Sequence, residues 1–86
     1  MGTRSFTSEE AERIAGSLGI DLAAEGIELE QFRTGLGVEL EHGRADPETD
    51  VTHDDPLVTG KIALAHLREI PDYYSRLAEM ERSAEA

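Results

Sequence analysis

Cysteine is absent from the 86-residue chain, and so is tryptophan. The first absence excludes disulfide staples, thiolate chemistry and every cysteine-based zinc site. With only two Phe and two Tyr, any core must be built mainly from Leu, Ile, Val and Ala. Lysine occurs once, at Lys61, and Lys plus Arg number 8 against 19 Asp plus Glu. The resulting charge of -11 argues against a nucleic-acid partner, because phosphate recognition needs clustered cations. It also keeps the chain soluble while self-repulsion works against its stability. An acidic, lysine-poor surface suits a salty cytoplasm, and an arginine-biased genome accounts for the Lys-to-Arg ratio equally well. No apolar run approaches the ~20 residues that cross a bilayer, and no signal-peptide pattern opens the chain. The expectation is a cytoplasmic protein with no membrane partner.

Strand-like alternation and internal repeats are missing too, and the pattern that remains is helical. Thr7 and Glu10 have capping-box spacing, with Phe6 placed as a hydrophobic staple. Ala11, Ile14, Ala15 and Leu18 then form an apolar stripe, which Gly19 stops. A connector through Asp21 and Gly26 leads to a second helix over residues 27–42, where Leu29, Phe32, Leu36 and Leu40 share a narrow arc. Gly35 and Gly37 each weaken that helix by ~1 kcal/mol relative to Ala, unless they admit the close approach of another backbone. Gly43 is read as its end. Residues 43–55 form a polar, turn-rich loop, and Asp55-Pro56 opens a third helix as N-cap and first residue. That helix reads to about Glu69, with a broad apolar face of Leu57, Ile62, Leu64, Leu67 and Ile70. Pro71 either kinks it or starts a fourth helix carrying Tyr73, Tyr74, Leu77 and Met80. The expected fold is all-α: one domain over residues 1–86, a small bundle of three to four helices. An antiparallel hairpin of helices two and three lies at its centre, and both ends fray, the second after about Arg82.

The run DDPLVTGKIALAHL at 54–67, followed by EIPDYY at 69–74, resembles a small uncharacterised helical domain family of bacteria and phages. Phe32-Arg33, the ELEHG block at 39–43 and Met80-Glu81 belong to the same pattern. The resemblance implies a compact helical domain and brings no activity with it. Glu-x-x-His on a helix is also similar to the ligand motif of ferritin-like proteins.

Glu39 and His42 lie three residues apart, separated by ~60° around a helix and ~4.5 Å along it, so both reach one region. The third helix carries the reverse order, His66 to Glu69. Antiparallel packing brings Glu39 near Glu69 and His42 near His66, a two-imidazole, two-carboxylate set suited to Fe, Mn or Zn. A homodimer would add the ligands that a single chain lacks, and would cover apolar surface that a small core leaves open. A second reading makes the histidines structural and the chain a non-enzymatic module that binds a protein partner. In it Glu39 bonds the loop backbone or Lys61, His42 caps the helix carbonyls, and His66 bonds Glu69. Other groupings carry less. Asp55 in His53-Asp54-Asp55 is a cap, and residues 46–50 lack the spacing of a calcium loop. Gly35-Leu36-Gly37 is no phosphate loop. Tyr73 and Tyr74 read as one surface and one core residue, and no Ser or Thr has a partnering base, so nothing identifies an enzyme.

Overall fold

The computed structural model describes residues 6–45 and 55–85, the side chains of residues 42–45 and 85 excepted. Among them the chain forms four helices and no strand: α1 (Ser8–Ser17), α2 (Leu29–Ala45), α3 (Pro56–Glu69) and α4 (Tyr73–Glu85). The all-α expectation holds, and Pro71 separates two helices rather than kinking one. Ile70 is extended at φ -135° and ψ 101°, the conformation that a following proline imposes.

Local chemistry sets most boundaries. At the start of α1 the Thr7 Oγ1 accepts from Glu10 N–H at 3.0 Å, and the Glu10 carboxylate accepts from Thr7 N–H at 2.9 Å. Phe6 is buried beside this box, and its carbonyl accepts from Arg33 Nη1 at 2.9 Å. At the other end Gly19 adopts φ 71°, Ile20 N–H reaches Ala15 O at 2.9 Å and Gly19 N–H reaches Gly16 O at 3.0 Å. This doubly bonded stop needs a residue at positive φ. The connector repeats it: Gly26 has φ 72°, and Ile27 N–H bonds Leu22 O at 2.9 Å. Asp55 caps α3 by accepting from Leu57 N–H at 2.9 Å, ahead of Pro56.

α2 and α3 make the most extensive contact in the molecule. The arc of Phe32, Leu36 and Leu40 is fully buried, together with Leu67 of α3 and Ala11 of α1. Each large side chain so buried contributes roughly 1.5–3 kcal/mol of transfer free energy.

Three expectations need correction. α2 begins at Leu29 and passes through Gly43 to Ala45. The face that α3 buries is Thr59, Gly60, Ala63, Leu64 and Leu67, while Leu57 and Ile70 are exposed at 41% and 37%. Small residues sit there because α1 comes close: a Cβ on Gly60 would lie 2.9 Å from Ile14 Cγ2 and 3.0 Å from Leu18 Cδ1. Thr59 tolerates full burial because its Oγ1 donates to Asp55 O at 2.9 Å. Gly35 does admit a close neighbour, but it is the ring of Tyr74 and not a backbone.

Candidate functional site

α2, α3 and α4 meet around the carboxylate of Glu39. Gly35 lies one turn before Glu39 on α2, and the Tyr74 ring occupies the space that a Gly35 side chain would need, with Cζ 2.8 Å from an added Cβ. That seat points the phenol at Glu39, and Tyr74 Oη donates to Glu39 Oε2 at 2.8 Å, both residues being buried. His66 Nε2 lies 3.4 Å from the same oxygen, longer than a good hydrogen bond. The His66 ring is half-buried and stacks face to face on Tyr73, with centroids 4.4 Å apart and planes 4° from parallel. Tyr74 stands edge-on to both rings. The first turn of α4 is tied down beside them: Tyr74 N–H donates to Gln31 Oε1 at 3.2 Å, and Gln31 Nε2 donates to Ser75 Oγ at 2.6 Å. Gln31 thereby satisfies a helix N-terminal donor that would otherwise lack a partner.

Burial pushes the Tyr74 phenol above its usual range, and the Glu39 charge and the hydrogen bond to it push in the same direction. Tyr74 therefore keeps its proton and acts as a donor, not as a base or nucleophile.

The structure brings together two of the four sequence-predicted ligands, Glu39 and His66. The expected pairing of Glu39 with Glu69 is not the one found, and Glu69 is exposed. The reason is α4: after Pro71 the chain returns across α2, so that Tyr73 and Tyr74 share the region beside Glu39 with His66. The His42 side chain lies outside the described residues, as do His53, Asp54 and residues 46–50. Among the described residues no group of three or more His, Asp or Glu is placed to hold a metal ion. Glu39 does not pair with Lys61, which is exposed. Sequence reasoning missed Tyr74 as the partner of Glu39. The available signal was a glycine four residues before an acid on one helix face, which makes a slot for a ring ending in a donor.

A second feature lies on another side of the molecule. Between α1 and the segment leading into α2 runs an open groove of about 500 Å³, with Ala15, Ile20, Leu22, Ile27 and Leu29 on its walls. Gly16 forms part of its lip, and a Cβ there would meet nothing within 4 Å. Glu12 and Asp21 rim it, both exposed.

A family model described as "Protein of unknown function (DUF5661)" matches residues 11–83, and the chain belongs to that family. The match spans the groove, Glu39 and both tyrosines, in keeping with the resemblance carried by the 54–74 run. No curated protein and no solved structure matches the chain. No helix among the described residues is long and apolar enough to cross a membrane.

Proposed function

We propose that this member of the DUF5661 family is a non-enzymatic binding module. Its polar centre at Glu39 locks three helices together, and its groove receives a protein partner. The observation that carries the reading is the groove itself. Its walls are aliphatic, its volume falls in the ~300–1,000 Å³ range of ligand pockets, and a Cβ added at Gly16 would meet nothing within 4 Å. The polar centre supports the non-enzymatic half, because Tyr74 holds its proton toward Glu39 and His66 is turned to the same oxygen. The homodimer expected from composition would use apolar surface of the same kind. Its acidic groove rims would set like charge against like, which favours a different chain as partner. Selection of displayed peptides on immobilised protein tests the reading. Recovered peptides are expected to bind wild type and not Gly16→Leu, which fills the groove. Failure to recover any peptide with that property would count against a binding module.

One observation favours a second reading. Glu39 and His66 approach to 3.4 Å, and His42 follows Glu39 by three residues on α2. With ligands from a second copy, Glu39, His42, His66 and Glu69 would hold Fe, Mn or Zn. A metal-dependent rise in melting temperature of tag-free protein, abolished by Glu39→Gln, is the result that would establish it.

A further inference from the structure

We propose that the groove between α1 and the lead-in to α2 takes the apolar face of a cationic amphipathic helix from its partner. This rests on the binding-module reading and names the chemistry of what is bound. Ile20 forms a ridge between two depressions of opposite charge. On one side lies the groove with its acidic rim of Glu12 and Asp21. On the other, a smaller depression lined by Leu18, Leu64 and Ala65 carries Lys61 and also Arg68, which is already paired with Glu25 at 2.8 Å. A basic segment is therefore drawn to the groove side of Ile20, while Lys61 disfavours it on the other. The acids of the rim have charge to offer: neither Glu12 nor Asp21 forms an ion pair among the described residues, although Asp21 Oδ1 accepts from Ala24 N–H at 3.1 Å. The missing side chain at Gly16 lets a partner's backbone approach α1 closely, and a net charge of -11 steers a cation toward the surface. A second copy fits less well. On its amphipathic α4, Arg76 is paired with Asp72 at 2.7 Å and Arg82 with Glu79 at 3.7 Å, so these cations are already neutralised.

The test is fluorescence anisotropy with three labelled peptides of about 18 residues each, long enough for several helical turns. One is a Leu/Lys helix with segregated faces, one its scrambled isomer, and one a Leu/Glu helix with the same apolar face. The Leu/Lys peptide should bind, and weaken by about tenfold or more as NaCl rises from about 20 to about 500 mM. Gly16→Leu and Glu12→Lys should each abolish binding without lowering the melting temperature, and Lys61→Glu should retain it. Equal binding of the scrambled peptide, or binding that both groove variants keep, overturns the proposal. Preference for the Leu/Glu peptide overturns the cationic partner and leaves the binding module standing. A dimer mass in light scattering that Gly16→Leu converts to a monomer replaces the partner with a second copy. A monomer that binds none of the peptides overturns both inferences.

Discussion

Gly35 and Gly16 both sit inside helices, yet a methyl group acts on them in opposite directions. At Gly35 it would run into the buried Tyr74 ring, which the Gln31 and Glu39 hydrogen bonds hold in place. Gly35→Ala should therefore lower stability by about 1–3 kcal/mol. At Gly16 the space is open, so Gly16→Ala should raise stability by about 0.5–1 kcal/mol through the unfolded chain. Urea denaturation of the two variants checks the opposite signs. The phenol of Tyr74 gives a pH dependence. Its pKa in the folded chain is raised above the ordinary 10.0, so below that value both states carry the proton. Above it the unfolded chain releases the proton and the folded chain keeps it, so stability falls as pH rises. Wild type should lose stability between about pH 9 and 11 more steeply than Tyr74→Phe, because only the phenol of Tyr74 adds this proton release. Parallel slopes would mean that Tyr74 is solvated.

The elements whose ends carry their own chemistry were legible in the sequence. Thr7 with Glu10, Gly19, and Asp55-Pro56 each fix a boundary by hydrogen bonds within a few residues, and the structure has all three. Gly43 misled because a single helical glycine weakens a helix by only ~1 kcal/mol, which packing along Leu36 and Leu40 can override. The face of α3 misled because hydrophobicity ranks Leu57 above Gly60, whereas the approach of Ile14 and Leu18 demands the smaller residue. The site was half legible. Glu39 and His66 were recognisable as chemistry on two neighbouring helices, but their register depends on Tyr73 and Tyr74, which only the turn at Ile70-Pro71 brings across. Links between elements offer a further prediction. Arg68 of α3 holds Glu25 of the connector at 2.8 and 3.0 Å, and its hydrogen bonds keep that carboxyl below the usual range. A lowered pKa stabilises the fold above the unfolded value of 4.5, and the benefit disappears as pH falls through the folded value. Glu25→Gln should thus be mildly destabilising at pH about 7 and indistinguishable from wild type near pH about 3, as read from chemical denaturation. A deficit of equal size at both would show that the loss is not ionic.

At the scale of the molecule, 19 acidic side chains against 8 cations leave repulsion that the fold must withstand. Sodium chloride should raise the melting temperature as the screening length shrinks from ~10 Å at 0.1 M to ~3 Å at 1 M. A flat or falling melting point would contradict this. Attraction at the Glu39 centre opposes the repulsion, joining α2, α3 and α4 from three separated parts of the chain. The Tyr74–Glu39 hydrogen bond is the buried link of that centre between α4 and α2. The most direct test is a double-mutant cycle of Glu39→Gln and Tyr74→Phe, measured by denaturation in metal-free buffer. A coupling of about 1–2 kcal/mol between the two positions is expected without any metal. Strict additivity would contradict it.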